Sequence, residues 1–215
     1  MIHIAKDNVG AEPVFKPIKR NYCHYDELQP DDKAKIKNVL LNEQGLICAY
    51  CMCRIGAADS TIEHYLTRSD NPNRSLDYEN LLAVCSGRAG RDRTCGNSRE
   101  NKPLHIDPTE ERHIRTVSYS FGGEISSNDS DFQNDIDAVL NLNISKYKAR
   151  RQAALDGLIW DLEALKQNGL LDLAELQQRR DKYTAEKHKE QYVGILIWYL
   201  DEMIEEQQNK VVSYK

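Results

Sequence analysis

The spacing of hydrophobic positions predicts a helix early in the chain and a β-hairpin near its middle. Between Asp31 and Asn42 apolar residues recur at roughly helical intervals, and Asp31 or Asp32 would cap the start of that helix. From Ile114 to Ile125 apolar and polar residues alternate around Gly122-Gly123, which is typical of two strands joined by a tight turn.

The two ends of the chain differ in their patterns. Prolines 13, 17 and 30 interrupt residues 1–30, which predicts an extended arm. Beyond Asp131 the chain is rich in helix-forming residues, and helices are expected over 131–143, 145–167 and about 172–209, with Gly169 separating the last two. This half is therefore predicted to be a helical hairpin or small bundle. Its main apolar side chains are expected in the core: Trp160, Leu162, Leu165, Ile195, Ile197, Trp198 and Leu200.

Composition narrows the classes of protein. The sequence has 40% hydrophobic residues but no apolar run near the roughly 20 residues that span a bilayer. The first residues lack the basic flank and apolar run of a signal peptide, so we expect a cytoplasmic protein. A net charge of -5 argues against general affinity for nucleic acid, so any DNA contact would need a local basic patch or a partner.

Four of the six cysteines are arranged as two pairs. Cys48 and Cys51 form a C-x-x-C knuckle, while Cys85 and Cys95 lie ten positions apart around a segment rich in Gly and Arg. Structural zinc needs four such ligands in a tetrahedron. A reducing compartment disfavours disulfides. We therefore expect one zinc ion on these four thiolates.

Other interpretations of the cysteines stay open at this point. Ordinary buried thiols or a redox pair would also explain the C-x-x-C sequence. Cys53 competes with Cys51 for a place in the zinc site, and the tighter spacing favours Cys51. Cys23, beside His24, is interpreted as a packing residue without a chemical role.

Between and after the cysteine pairs lie residues suited to phosphodiester hydrolysis. His64 has an ordinary pKa near neutrality and is a candidate general base. Glu63 offers the hard oxygen that Mg²⁺ or Mn²⁺ prefers. Asn80 would fix the loop that carries His64 through hydrogen bonds. Asn97, or less favourably Asn101, would supply another metal ligand.

The order of these motifs is C-x-x-C, acid-His, Asn-Leu-Leu-x-x-Cys and Cys-x-Asn, and it resembles the HNH endonuclease family over residues 43–104. The resemblance implies an α+β fold with a zinc-clamped ββα-metal finger, followed by a C-terminal helical region. It implies His64 as general base, Glu63 as the acid beside it and Asn80 as the middle Asn. The zinc ligands it implies are Cys48, Cys51, Cys85 and Cys95.

The resemblance extends outward from the finger. The helix before Leu46, the sequence Asp77 to Leu82, and Asp107-Pro108 resemble PtuB, the HNH subunit family of Septu and related retron anti-phage systems. That likeness implies a PtuA-like ATPase partner of the ABC/SMC type and, in retrons, a reverse transcriptase with its RNA–DNA product. We expect DNA as the substrate, although the sequence does not distinguish DNA from RNA. The change of composition toward the C-terminal half divides the chain into a nuclease domain over 1–125, with the arm and helix, and a helical domain over 126–215 that we expect to bind the partner.

One position departs from the family pattern. Many HNH fingers have His directly after the last cysteine, whereas this chain has Gly96, and Asn97 follows it. We expect Glu63 and Asn97 to hold the catalytic cation. Five nearby basic residues are expected to contact nucleic acid, Arg99 and Lys102 above all, with Arg88, Arg91 and Arg93.

Two rival functions follow from the same residues. Gly96 favours a catalytically inactive, zinc-stabilised module that binds nucleic acid or protein. A redox or metal-storage role for the thiols would leave Glu63, His64 and Asn80 without a function. An HNH endonuclease gives a role to these three residues as well as to the cysteines. We predict this function, with structural Zn²⁺ and catalytic Mg²⁺ or Mn²⁺.

Overall fold

A computed structural model describes residues 1–213, with side chains up to residue 209. Helices and three separate two-stranded antiparallel sheets make up this part of the chain, so the fold mixes α-helix with small β-sheets. The helices are α1 (Asn8–Asn21), α2 (Pro30–Glu43), α3 (Cys95–Arg99), α4 (Glu111–Ile114), α5 (Ser130–Asn134), α6 (Ser145–Gln167), α7 (Leu173–Ala185) and α8 (Val193–Ser213). The strands are β1 (Ser60–His64), β2 (Leu81–Cys85), β3 (Arg88–Ala89), β4 (Asp92–Arg93), β5 (Val117–Tyr119) and β6 (Ile125–Ser127).

The N-terminal segment is helical rather than extended, so the prediction of an extended arm is wrong. Asp7 caps α1, and its carboxylate accepts a hydrogen bond from the amide of Gly10. One face of the helix buries three apolar side chains: Ala11, Phe15 and Ile18. Pro13 and Pro17 lie four residues apart on the exposed face, where water can bind the carbonyls that they leave unpaired. Burial of the apolar face thus offsets the hydrogen bonds that the prolines remove.

Helix α2 and the pair β1–β2 form the frame of the N-terminal half. The helix occupies the predicted region and buries Ile36, Leu40 and Leu41. The predicted cap is wrong, because the helix begins at Pro30 and both Asp31 and Asp32 lie within its first turn. It contacts β2, whose five residues are all buried. Strand β1 is antiparallel to β2, with Glu63 opposite Leu82 and His64 opposite Leu81. The end of β1 is therefore held on a buried strand.

The predicted β-hairpin is confirmed as β5 and β6, in which Tyr119 pairs with Ile125. Gly123 in its turn has φ +75, and a Cβ built there would lie 2.1 Å from the carbonyl oxygen of Lys148. Only glycine fits such a close approach of α6 with a positive φ. The hairpin therefore packs directly on the helical half.

The helical half differs from its prediction in two places. The stretch expected as one helix over 172–209 is α7 and α8, because the loop between them bonds elsewhere: the amides of Lys189 and Tyr192 donate to the carbonyls of Gly45 and Met52. The segment expected as a helix over 131–143 is α5, followed by a π-helical turn over Asp135–Val139.

One of the predicted core residues lies at the surface. Trp160 is 76% exposed, whereas Leu162 and Leu200 are buried as expected. Helix α6 buries Leu158 and Leu162, and Trp160 lies two residues from each, about 200° around the helix. The helical periodicity therefore places Trp160 on the solvent face. Among the described residues, no helix combines the length and the apolar character that crossing a bilayer requires.

Candidate metal centre and candidate active site

Four buried cysteines converge at one point between β2, α3 and the knuckle. The Sγ atoms of Cys48, Cys51, Cys85 and Cys95 all lie within 4.8 Å of one another. The Cys48–Cys95 and Cys51–Cys85 sulfur distances are 3.9 and 3.8 Å. A tetrahedron with Zn–S bonds of about 2.3 Å has S–S edges of about 3.8 Å. The donor set and spacing therefore fit one zinc ion, and the predicted cluster is confirmed.

The backbone around the first pair explains how two thiols come to point the same way. The amide of Cys48 donates to the carbonyl of Cys53 and the amide of Met52 donates to the carbonyl of Cys48. Met52 has φ +61, so the chain makes a tight turn over residues 48–53. Ala49 donates to the carbonyl of Ala83, which ties this turn to β2. The knuckle is thus fixed against the strand that ends at Cys85.

Electrostatics at the cluster are consistent with a cation. Burial raises the pKa of Cys48 and Cys95, which disfavours their thiolates. At Cys51 and Cys85 hydrogen bonds from the neighbouring thiols outweigh burial and lower the pKa. A bound metal ion provides the opposite charge that stabilises thiolates. Thiolate formation and metal binding are therefore linked at this site.

Cys53 lies beside the cluster without belonging to it. Its sulfur is 3.3 Å from that of Cys51, shorter than the edge of about 3.8 Å in a tetrahedral zinc site. The preference for Cys51 over Cys53 agrees with this geometry. Cys23 is exposed, far along the chain from the knuckle.

The end of β1 carries a buried ion pair. Arg99 on α3 is 1% exposed, and its Nη1 donates to Glu63 Oε1 at 2.8 Å. The same guanidinium donates to the carbonyls of His64, Tyr65 and Lys102 at 2.9, 2.5 and 2.8 Å. Burial raises the pKa of Glu63, and Arg99 opposes that shift. Arg99 thus positions the end of β1, whereas the sequence predicted a contact with phosphate.

His64 is the last residue of β1 and is half-buried, next to the loop that follows the strand. Its Nε2 lies 2.9 Å from the carbonyl oxygen of Ser75. A carbonyl only accepts, so Nε2 carries the proton and Nδ1 is the basic nitrogen. Burial lowers the pKa of His64 to about 4, which makes the ring neutral at pH 7. The Tyr25 ring contacts it edge to face, at 4.8 Å between centroids.

Asn80 closes the loop that follows His64. Its side chain is 2% exposed, and Oδ1 accepts from the amide of Leu66 at 2.6 Å. Its Nδ2 donates to the carbonyls of Leu66 and Arg74, both at 3.1 Å. These bonds span the loop between β1 and β2, which is the structural task that the sequence suggested for Asn80.

Glu63 and Asn97 face different neighbours, so the structure does not join the two expected cation ligands. A Cβ built on Gly96 would lie 2.8 Å from Glu63 Oε2, so Glu63 points at position 96. The oxygen of Asn97 accepts from Arg93 Nε at 2.9 Å, and its Nδ2 donates to the Ser86 carbonyl at 3.3 Å. Apart from the cysteines, no group of three or more His, Cys, Asp or Glu side chains that could hold a metal ion occurs among the described residues.

The remaining basic residues of this segment are exposed. Arg88 and Arg93 lie on the small hairpin β3–β4, and Arg93 pairs with Glu100 at 2.8 Å. Arg91 lies in the turn and Lys102 after α3, both open to solvent. Their predicted contact with nucleic acid is compatible with this exposure and stays a prediction.

The sequence did not single out Tyr25. It lies in a short 3-10 turn between α1 and α2, 39 positions before His64 in the chain. No local motif links the two residues, and the prolines of this segment indicate an arm rather than part of a site. Only the packing of α1 and α2 brings this ring to the histidine.

The arrangement combines four cysteines that could hold a metal ion with a neutral, half-buried histidine at the end of a strand pair. No family model matches the chain. Two curated relatives are similar to it. One, described as a candidate HNH endonuclease of retron Vc95 from Vibrio cholerae, is 26% identical over 183 residues, which cover 78% of this chain and 89% of the relative.

The second relative is the Septu protein PtuB from Bacillus thuringiensis. It is 31% identical over 133 residues, which cover 58% of this chain and 49% of the relative. The chain thus spans about half the length of this Septu protein. The resemblance drawn from the motifs is confirmed by these two relatives, at modest identity over a substantial part of the chain.

Proposed function

We propose that the chain is a metal-dependent endonuclease of the HNH type that hydrolyses phosphodiester bonds of DNA. The observation that carries this proposal is His64, whose Nε2 is held by the Ser75 carbonyl while Nδ1 is left as acceptor. The order of motifs and the names of both relatives support it. Structural zinc on the four cysteines would hold the finger together.

In this mechanism His64 acts as the general base. Nδ1 takes a proton from water, which then attacks phosphorus in line with the departing 3′ oxygen. An approaching phosphate is anionic, so it raises the low pKa of the ring toward neutrality and favours proton transfer. Asn80 and Arg99 position His64 through the loop and through its backbone carbonyl.

Glu63 is the residue that would hold a catalytic cation. Mg²⁺ is commonly bound by one or two carboxylates together with waters and substrate phosphates, so one carboxylate fits its requirements. Glu63 Oε2 lies toward Gly96, while Oε1 is held by Arg99. When bound, Mg²⁺ or Mn²⁺ would neutralise the charge that develops on the phosphate. Asn97 would join only after releasing Arg93.

The test compares cleavage of plasmid and single-stranded DNA by the wild type, His64→Ala and His105→Ala, with Mg²⁺ and with EDTA. Loss of a general base lowers rates by about 10²–10⁴-fold. His105 is an exposed histidine outside the loop, so His105→Ala is the matched control. Zinc content measured on all three proteins separates loss of the base from loss of the fold. Cleavage by His64→Ala at the wild-type rate would refute the mechanism.

The names of the relatives suggest the biological setting. We propose that the chain is the effector of an anti-phage defence complex with a PtuA-like ATPase of the ABC/SMC type. In a retron setting a reverse transcriptase and its RNA–DNA product would join. Residues 126–215 are the proposed partner-binding domain, next to the nuclease domain over 1–125. Co-purification with a co-expressed ATPase, weakened by the surface substitution Trp160→Glu in a protein that keeps its zinc, tests this assignment, since Trp160 is 76% exposed.

A second function is favoured by one observation. Gly96 offers no side chain, and the oxygen of Asn97 already accepts a hydrogen bond from Arg93. A zinc-stabilised module that binds nucleic acid or protein without cutting would need neither ligand. DNA binding without cleavage, in the presence of the partner and Mg²⁺, would favour this module.

A further inference from the structure

The ring of Tyr25 is fixed beside the proposed base. Tyr25 and His64 meet at an interplanar angle of 88°. The amide of Tyr25 donates to Ser75 Oγ at 3.3 Å, while the carbonyl of Ser75 holds His64 Nε2. Both rings are thus anchored on one residue. The turn over residues 25–27 is therefore part of the wall of the candidate active site.

Two cationic side chains from different elements lie against the same ring. The Lys33 ammonium, from α2, is 5.2 Å from the centroid of the Tyr25 ring. The Arg68 guanidinium, from the loop after β1, is also 5.2 Å from it. Cation–π attraction holds both groups there. The chain carries a net charge of -5, so this convergence of cations is a local feature.

In the described part of the chain, neither cation is held by a buried acidic partner, so both can bind an anion from solution. Arg68 pairs with Asp26, whose side chain is 81% exposed. A surface pair of this kind contributes about 0–1 kcal/mol, so a phosphate readily replaces the carboxylate. Among the residues that the structure describes, Lys33 has no carboxylate partner in an ion pair. Arg99, by contrast, is buried on Glu63 and unavailable.

We propose that Tyr25, Lys33 and Arg68, here called the Tyr25 cluster, bind the phosphodiester backbone of nucleic acid next to His64. The inference rests on the proposed function for the reacting phosphate and adds the residues that hold the strand. Lys33 and Arg68 contact phosphates on either side of the one that reacts. Tyr25 is a positioning residue, because its ring contacts His64 and both cations and thereby holds them next to one another.

The test measures binding of fluorescein-labelled 20-mer DNA, single-stranded and duplex, by fluorescence anisotropy across a salt series. The buffer contains no Mg²⁺ or Mn²⁺, and a gel verifies that the DNA stays intact. The variants are Lys33→Gln and Arg68→Gln. Matched controls are Lys35→Gln, on the exposed face of the same helix, and Arg112→Gln, an exposed arginine of α4.

Each cluster variant should lose one phosphate contact. The slope of log affinity against log salt should fall by about 0.7 on single strands or about 0.9 on duplex, and duplex binding at 0.1 M salt should weaken about eightfold. The controls should bind as the wild type does. Tyr25→Phe should also bind normally, because it keeps the ring, whereas Tyr25→Leu should weaken binding as the cation variants do.

Two results overturn the inference: cluster variants that bind like the controls, or a wild type that binds neither DNA at 20 mM salt. Failure of the proposed function gives a different pattern. If the wild type cleaves DNA and the cluster variants match it in binding and cleavage, the nuclease stands and the cluster falls. If nothing cleaves but Lys33→Gln and Arg68→Gln weaken binding, the cluster stands and the nuclease falls.

Discussion

Replacing Arg99 by methionine tests whether this residue holds the fold of the site or contacts the substrate. Methionine keeps much of the volume and removes the guanidinium that binds Glu63 and three carbonyls. Removal of one partner from a buried ion pair costs about 3–5 kcal/mol, because the other charge stays buried. Glu63 is 16% exposed, so it keeps little water. We expect Arg99→Met to lower the free energy of unfolding by about 3–5 kcal/mol.

Urea unfolding followed by circular dichroism, in zinc-containing buffer, measures this loss. For a chain of this length the melting temperature should fall by about 2–4 °C per kcal/mol, or about 6–20 °C in total. Arg91→Met is the matched control, since Arg91 is exposed, and it should change stability by less than about 0.5 kcal/mol. In a double-mutant cycle, Glu63→Gln should relieve part of the cost of Arg99→Met.

The alternative role of Arg99 gives the opposite result. A phosphate contact would leave stability unchanged and weaken only DNA binding. A loss of less than about 1 kcal/mol, or a loss equal to that of Arg91→Met, would refute the reasoning from burial. Stability and DNA affinity measured on the same two variants therefore decide between the two roles.

Three further predictions follow from the same region. Cys95→Ser should lose zinc, whereas Cys53→Ser should retain about one zinc per chain, because only Cys95 of the two belongs to the tetrahedron of thiols. Elemental analysis measures the zinc content, and equal zinc content in the two variants would contradict this prediction. Gly96→Ala should lower the cleavage rate by about 10²-fold, because the new side chain displaces the Glu63 carboxylate. The free energy of unfolding should change by less than about 1 kcal/mol. An unchanged cleavage rate would exclude a role for that carboxylate. Asn80→Ala should lower the free energy of unfolding, measured in urea, by about 2–3 kcal/mol, since buried polar groups of the loop lose their partners. The loop should also become sensitive to protease. A loss below about 1 kcal/mol would argue against the loop-closing role.

The sequence was most informative where chemistry restricts the choice of residue. Zinc accepts few ligand types, so the spacing of Cys48, Cys51, Cys85 and Cys95 along the chain was enough to predict the cluster. Helix α2 was predicted from the helical spacing of its apolar residues. The β5–β6 hairpin was predicted because the alternation of apolar and polar residues agrees with the glycines of its turn.

Two structural predictions that were wrong, the extended N-terminal arm and the burial of Trp160, failed for a different physical reason. Prolines in α1 weaken the helix locally, but burial of Phe15 against Tyr78 stabilises it, and Tyr78 is distant in sequence. Trp160 has an apolar side chain and still lies on the exposed face of α6, because Leu158 and Leu162 determine which face is buried. Both outcomes depend on tertiary contacts, which the periodicity of a single segment does not contain.

The arginines between residues 86 and 102 show the same limit, because a count of charges does not reveal which side chains are buried. Arg88, Arg91, Arg93 and Arg99 are equivalent in a count of charges, yet Arg99 is 1% exposed and the other three are exposed. The difference arises because α3 directs Arg99 under the end of β1, where backbone carbonyls are available. A cluster of basic residues therefore predicts phosphate contacts only for those members that the fold leaves at the surface.

Gly96 and the pair formed by Glu63 and Arg99 are parts of one arrangement. A side chain at position 96 would displace the carboxylate of Glu63 from the place where Arg99 holds it, because Oε2 would lie 2.8 Å from the new Cβ. A histidine at position 96 is therefore incompatible with this position of Glu63. We infer that the departure from the HNH pattern reduces the protein's share of the cation ligands to one carboxylate and leaves the rest to water and substrate phosphate. The free protein should then bind Mg²⁺ weakly, and the proposed cleavage would couple cation binding to capture of the nucleic acid.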